Sequence, residues 1–313
     1  MENSLPSVSV VIPALDAADK IGNALASISA QDHDNKIEVI VAAGDDETLK
    51  VAKDLGAIVI HNPSGRTPDA LNLAIGMATG DVVVRCDAQS LLPDDYISRA
   101  VETLQRTGAV NVGGMQVPVG ETFWERAIAA AMASPLGAGD ARYRTGGHEG
   151  PAETVYLGVF DRVKLEALGG YDPAFARNQD YELNHRIIES GGIVWFDPEL
   201  KVRYRPRGSL KDLWVQFFKY GQAKKLFARR HPGSLRWRQL APPMLVIGLL
   251  ISLLTAFVWP WALAVPALYL AAVVVGTIIL PRRLHANLGT IPALATMHIS
   301  WGLGFLNGTE LDG

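Results

Sequence analysis

Four polar clusters interrupt an otherwise apolar N-terminal half, and each follows a run that reads as a strand: Asp16, then Gly44-Asp45-Asp46, Gly65-Arg66, and Asp87-Ala88-Gln89. Carboxylates hold hard cations, and a guanidinium matches phosphate oxygens in geometry. Such groups at neighbouring strand ends are suited to a charged ligand. Asp87 is also placed to cap the turn that follows it, and Arg66 to sit as a solvated turn residue. A fifth candidate, Asp180, opens a helix after the turn Gly169-Gly170. It stands where a helix cap belongs, with Asn178 as a rival cap. Two histidines remain. His148, with Glu149, lies in a Gly-rich run over 137–150 that is placed to cover a ligand. His185 lies beside Arg186 on a helix, where a lone histidine is ordinarily structural. Cys86, the single cysteine, sits in a Val-rich strand and reads as a small buried hydrophobe.

These residues need a frame. The spacing predicts strands over 8–12, 37–42, 57–61 and 81–86, and helices over 19–30, 47–55 and 68–78. Ile21, Leu25 and Ile28 share one face of the first helix, and Gly56 and Gly80 close the second and third. Alternating helices and near-continuous apolar strands predict an α/β fold, a parallel sheet covered by helices. In such a sheet the ligand sits at the carboxyl ends of the strands, where the four clusters fall. From 113 to 158 the pattern weakens into an amphipathic stretch over 123–132 and the Gly-rich run. Helices follow over 162–168 and 180–190, with short strands over 193–196 and 201–204.

The chain has 313 residues, of which 49% are hydrophobic and 19% charged. The apolar excess sits at one end. Residues 241–280 carry no charge, enough for two passes of about 20 residues across a bilayer. Pro260, between Trp259 and Trp261, suits a turn at the far interface. A soluble pair of buried helices would show a polar face, and these do not. The stretch 289–306 is a third apolar run broken by His298, with spanning and re-entrant paths both open. The net charge of −3 hides an asymmetry: 199–238 holds twelve Lys/Arg against two acids, so it is +10, and 1–198 is −13. A basic collar between an acidic domain and a membrane hairpin is drawn to anionic lipid and keeps its side cytoplasmic. Arg282 and Arg283 land on the same side. No signal peptide is expected, since Met1 to Ser4 is polar and the first apolar run spans only 8–12.

The segments Val8-Ser-Val-Val-Ile-Pro13, Glu38-Val-Ile-Val41, Gly65-Arg66, Val82-Val-Val-Arg-Cys-Asp-Ala-Gln89, Gly169-Gly-Tyr-Asp172 and Asn178-Gln-Asp180 together resemble glycosyltransferase family 2. These are inverting enzymes with the GT-A fold, and the likeness runs over about 7–230. With His298, Trp301 and Gly302 in the apolar tail, the chain is similar to the membrane-associated branch that includes succinoglycan-type exopolysaccharide glycosyltransferases. The resemblance implies a Rossmann-like GT-A domain over 1–210, basic interfacial helices over 211–240, and a membrane segment of two to three helices over 241–313.

It also implies roles. Asp87 and Gln89 stand where the family's DxD-type motif holds a divalent cation, Mg²⁺ or Mn²⁺, and the nucleotide; here the second carboxylate has become an amide. Pro13 and Asp16 lie on the loop that contacts the nucleoside, and Arg66 reaches the diphosphate or base. Ala43 takes the place of a base-reading aspartate, so Asp45 or Asp46 is the candidate substitute. Asp180 corresponds to the general base, with Gln179 where relatives carry Glu. Processive relatives have Gln-x-x-Arg-Trp on a helix at the membrane surface. Here 214–230 lacks the Arg-Trp pair, which points to single-sugar transfer. His148, Gln179, Lys224 and Lys225 are the acceptor-side candidates.

The expected activity is inverting transfer from a nucleotide sugar, a UDP-sugar first, to a polyprenyl-diphosphate-linked saccharide, at the cytoplasmic face of a bacterial inner membrane. No nucleic acid partner is expected. Two other readings stand beside it: direct transfer to polyprenyl phosphate, as in dolichyl-phosphate-mannose-synthase-like enzymes, and a non-catalytic membrane scaffold, motivated by Ala43 and Gln89.

Overall fold

The computed structural model describes residues 5–281 and 284–308; Met1 to Ser4, Arg282 and Arg283 lie outside the described residues. The elements run β1 (Val8–Ala14), α1 (Ile21–Ser29), β2 (Ile37–Ala43), α2 (Asp46–Asp54), β3 (Ile58–His61), α3 (Thr67–Met77), β4 (Val82–Arg85), α4 (Tyr96–Thr107) and β5 (Asn111–Pro118). They continue with α5 (Phe123–Ala133), α6 (Pro135–Ala138), α7 (Arg142–Thr145), β6 (Gly150–Pro151), β7 (Tyr156–Asp161), α8 (Arg162–Ala167), α9 (Gln179–Glu189) and β8 (Val194–Tyr204). The last are α10 (Leu210–Arg230), α11 (Ala241–Thr255), α12 (Ala264–Ile278) and α13 (Thr290–Asn307). The described residues form two compact units, one reaching Val117 and joined by Ala141–Tyr204, the other Pro118–Asp140 with residues 205–308.

The first unit is built on one sheet in the order β3-β2-β1-β4-β7-β5-β8-β6. Its first four strands are parallel, with Val10 opposite both Val39 and Val84. They are the Val/Ile-rich runs, and apolar side chains on both faces of β1 are covered by helices. The sheet then turns antiparallel, β7 pairing with β4 and with β5. The α/β sheet expected from the pattern is therefore present, with a mixed second half.

Local differences from the expected elements have physical causes. β1 runs through Pro13 to Ala14. Val8 N–H donates toward β2 and the Val11 carbonyl accepts on the β4 side, so alternation turns the Pro13 nitrogen toward β4. Pairing there ends at Val11, and the missing N–H forfeits no ladder bond. The short strands expected over 193–196 and 201–204 are one strand, β8, continuing past Pro198. Fully buried Asp197 secures that point by accepting from Arg99 Nε at 2.8 Å and Glu199 N–H at 2.9 Å. The helix α4 and strand β5 were not read from the pattern.

In the second unit, α13 packs along α10. A side chain on Gly221 would meet the Trp301 carbonyl at 2.1 Å, and one on Gly304 the Phe218 carbonyl at 2.0 Å. Gly304 in the third apolar run and Gly221 on α10 thus allow the two helices to approach closely. α11 and α12 are apolar all round and expose large side chains such as Leu250, Leu254 and Leu268. Two stretches of 19 residues, Trp237–Thr255 and Pro260–Ile278, are long and apolar enough to cross a bilayer. A 3₁₀ turn at Pro260–Leu263 separates α11 from α12.

Candidate active site

The centre of the site is a residue that the sequence reading passed over. Arg85 ends β4 and is 5% exposed. Its Nε and Nη2 both donate to Asp87 Oδ1, at 3.1 and 2.9 Å. Its Nη1 donates to Asp180 Oδ1. The Arg85 guanidinium carbon lies 6.0 Å from the centroid of the Tyr171 ring. Burial alone would lower the Arg85 pKa; the charges of Asp180 and Asp87 overcome it and raise it well above the ordinary value. One guanidinium therefore joins the two carboxylates that the sequence singled out, with Asp180 lying 95 residues beyond Arg85 along the chain. An arginine inside a Val-rich run was the available signal, because a charge on a buried strand must find partners.

Asp180 is the second residue of α9. It does not cap that helix: Asn178 holds the cap position without a side-chain cap bond, in left-handed conformation at φ 61°. For a residue other than glycine that backbone is uncommon and is often found at functional sites. Burial raises the Asp180 pKa, Arg85 opposes the rise, and the Asp87 charge adds to it. Protein atoms surround the carboxylate, yet its side chain keeps 33% of its surface open, so a ligand can reach it.

Arg186 ties α9 to the segment before it. Buried Glu182 takes Arg186 Nε at 2.7 Å, and Arg186 also donates to the Leu168 and Gly170 carbonyls at 2.6 and 2.7 Å. Asn72 on α3 pairs with both backbone groups of Tyr171. Gly170, at φ 67°, leaves space for that pairing, since a side chain there would meet Asn72 Oδ1 at 2.6 Å. Neither Asn72 nor Arg186 stands out as a site residue in the sequence, because the groups they bond are backbone groups of other segments.

The remaining candidates line the same carboxyl edge. Asp45 caps α2, its Oδ1 accepting Thr48 N–H at 2.8 Å, and its Oδ2 accepts Asp16 N–H at 2.8 Å. Burial works against ionisation of Asp45, and the Thr48 and Asp16 groups outweigh it, so its pKa is lowered. Asp16 is exposed, with φ 48°. Leu15, also exposed, lies over Gly44 and Gly65. Arg66 precedes α3 and donates through Nη2 to the Pro173 carbonyl, which brings it to the Gly169-to-Asp172 turn. Pro13 is partly buried and Gln89 is exposed. Cys86 is fully buried and free, and burial pushes its thiol up.

His148 is exposed in a loop fastened on both sides. Arg142 donates to the His148 and Pro151 carbonyls, and Glu149 takes Arg106 and, at 2.8 Å, the Trp195 indole. Gln179 begins α9. Lys224 and Lys225 belong to α10 in the second unit: Lys224 is buried with its ammonium 4.3 Å from the Phe227 ring centroid, and Lys225 donates to the Leu306 carbonyl at 2.8 Å.

The cluster tests its own fitness for a cation. Two carboxylates against one guanidinium leave a net charge of −1, and both Arg85 bonds to Asp87 fall on Oδ1. That surplus is chemically suited to a hard cation, for which Asp87 could serve as an anionic ligand and the Gln89 amide as a neutral one.

A sequence profile described as glycosyl transferase family 2 matches residues 9–169. The chain is 29% identical over 312 residues to succinoglycan biosynthesis protein ExoA of Rhizobium meliloti (strain 1021), covering 95% of this chain and 93% of that protein. It is 25% identical over 288 residues to dolichyl N-acetyl-alpha-D-glucosaminyl phosphate 3-beta-D-2,3-diacetamido-2,3-dideoxy-beta-D-glucuronosyltransferase of Methanococcus voltae, covering 87% and 86%. Among solved structures, mannosyltransferase PcManGT from Pyrobaculum calidifontis, in complex with GDP-Man and Mn²⁺, matches with a TM-score of 0.60 at 22% identity, covering 97% of this chain and 87% of that one. At that identity the likeness is one of fold.

Proposed function

The chain belongs to glycosyl transferase family 2 and has a GT-A fold, and from that premise we propose that it transfers one sugar from a nucleotide-sugar donor to a lipid-linked saccharide at a membrane surface. The observation that carries this reading is the Asp87–Arg85–Asp180 cluster at the carboxyl edge of the parallel strands. Asp87, with Gln89, would hold a divalent cation, Mg²⁺ or Mn²⁺. When bound, that cation neutralises charge developing on the departing nucleoside diphosphate. Arg66 has the chemistry to meet the diphosphate, and the loops carrying Pro13, Asp16 and Asp45 face the nucleoside.

Asp180 is the general base. The acceptor hydroxyl oxygen attacks the anomeric carbon while the bond from that carbon to the phosphate oxygen breaks on the opposite side. Asp180 takes the hydroxyl proton, the nucleoside diphosphate leaves, and the configuration inverts. His148 and Gln179 belong to the acceptor side of this scheme. Asp45 is engaged as a helix cap and by the Asp16 backbone, so it serves the nucleoside by fixing the loop rather than by reading the base.

The acceptor assignment is supported by the two apolar stretches and the basic collar that precedes them. The Methanococcus relative is named for transfer to a dolichyl-phosphate-linked sugar, and a polyprenyl-diphosphate saccharide is the corresponding acceptor here. Lys224 and Lys225 lie on the helix before the apolar hairpin. The collar orients the catalytic unit to the cytoplasmic side of a bacterial inner membrane.

The test is donor turnover by the detergent-purified protein. UDP-, GDP- and dTDP-sugars are screened with Mg²⁺ or Mn²⁺ and a membrane lipid extract, beside Asp180→Asn. A UDP-sugar is the first expectation; GDP-mannose belongs in the panel because the Pyrobaculum mannosyltransferase binds it. Metal-dependent release of one nucleotide, abolished by Asp180→Asn, is the expected result. A sugar monophosphoryl lipid as product would move the acceptor to polyprenyl phosphate. No turnover and no nucleotide binding by calorimetry would leave a scaffold.

A further inference from the structure

Arg85 does more than balance charge. A guanidinium this deeply buried is costly unless its donors are satisfied, and its three bonded donors are divided unequally. The edge made by Nε and Nη2 grips one oxygen of Asp87, and Nη1 reaches one oxygen of Asp180. The fork is planar and rigid, so the directions of these bonds are fixed relative to one another. Arg85 itself is fixed by the strand: Val84 pairs with Val159, and Arg85 lies opposite Val11. The Tyr171 ring stands beside the guanidinium. Asp180, on a helix far along the chain, is thus located against Asp87 by a single rigid group. In each carboxylate the Arg85 bonds fall on Oδ1.

We propose, resting on the reading of Asp180 as base and Asp87 as donor-side ligand, that Arg85 is a positioning residue for transfer. It sets the spacing between the donor carboxylate and the base and directs Asp180 Oδ2 to the acceptor hydroxyl. A charge-balancing role would be met by any cation on a side chain of that reach. A positioning role needs the fork. A misplacement of about 1 Å can cost about a hundredfold in rate, so the two roles separate in kinetics.

Arg85→Lys keeps the charge and removes the fork; Arg85→Gln removes both. Steady-state transfer is measured for wild type and both variants with the donor found active in the screen, beside calorimetric binding of its nucleoside diphosphate with Mn²⁺. The expected result is a kcat lower by about a hundredfold or more in both variants, with the donor KM and the nucleotide Kd within about threefold of wild type. A kcat for Arg85→Lys within about threefold of wild type would reduce Arg85 to charge balance and overturn the proposal. So would loss of nucleotide binding in both variants, which would make Arg85 a folding residue. An inactive wild-type protein would instead sink the functional reading on which this one rests, so the two failures are told apart.

Discussion

Asn72 and Tyr171 stand 99 residues apart and pair as two peptide groups do: the Asn72 amide donates to the Tyr171 carbonyl at 2.7 Å, and the Tyr171 N–H donates to Asn72 Oδ1 at 2.8 Å. This pairing fastens the turn that leads to Asp180 onto α3. Asn72→Ala removes both bonds, and an unsatisfied buried group costs about 1–3 kcal/mol. The expected outcome is a lower unfolding midpoint and a reduced kcat with donor affinity retained. Gly170→Ala should act the same way, through its positive φ and the close approach to Asn72. Unchanged kcat in both variants would detach the turn from the placement of the base.

Asp180→Asn keeps the shape of the side chain and removes the base. Loss of general-base catalysis is worth about 10²- to 10⁴-fold in rate, with nucleotide binding preserved. Asp87→Ala should show the converse pattern: metal-dependent nucleotide binding disappears in calorimetry. Wild-type kcat should rise with pH along an acid limb above the ordinary aspartate range, because burial lifts the Asp180 pKa further than Arg85 lowers it. A limb lying at or below that range would remove Asp180 from the role.

Glu125 is a second titration marker, remote in function. The Arg205 side chain, then the Thr122 and Glu121 N–H groups, lower its pKa from 4.5 to about 2 against a smaller effect of burial. A carboxylate depressed in the fold contributes stability above its unfolded pKa and loses it as pH falls through the folded value. Stability should therefore drop between pH 4.5 and about 2. Glu125→Gln should flatten that part of the curve of melting temperature against pH.

Lys224 runs the opposite way. Burial, helped by the Arg238 charge, lowers its pKa from 10.5 to about 7. The unfolded chain binds the proton more tightly, so this residue's contribution improves as pH rises from about 7 to 10.5. Lys224→Met should raise the melting temperature more at pH 6 than at pH 9. An equal shift at both would place the lysine in a wetter setting.

Leu250 lies in α11 and exposes 57% of its surface. An arginine at the centre of a spanning helix costs about 2.5–3.5 kcal/mol on insertion scales. Leu250→Arg should move the protein from the carbonate-resistant to the extractable membrane fraction. Continued resistance in Leu250→Arg and also in the double variant Leu250→Arg/Leu268→Arg, which places a charge in α12 as well, would mean that the pair does not span.

The sequence made the parallel half of the sheet legible because its strands are short apolar runs closed by polar residues, and Asp16, Asp45, Arg66 and Asp87 all fall on one edge as that pattern requires. The hairpin of α11 and α12 was legible for a simpler reason: forty residues without charge. What escaped was long-range. β5 carries two glycines and an asparagine, so it lacks the composition of a strand; β8 is legible only as two short pieces, because Pro198 interrupts the pattern and the Asp197 contacts carry the strand past it. Arg85 looked like an interruption of a strand because both its partners lie outside that strand. The cap reading of Asp180 failed because Asn178, two residues earlier, takes the turn into the helix.

The antiparallel addition of β7 to β4 also sets a timetable for synthesis. Residues up to Gln89 supply the donor-side groups and leave the ribosome first, whereas Asp180 comes 95 residues after Arg85. At about 5–20 residues per second that interval lasts about 5–20 s. Until β7 is made, β4 has an unpaired edge, and until Asp180 follows, Arg85 has only half of its counter-charge. The growing chain thus presents an aggregation-prone edge beside an under-balanced cation. Truncation before β7 should yield material that chaperones hold or proteases clear, and the nascent-chain length at which chaperone occupancy falls marks the moment β7 closes the edge of β4.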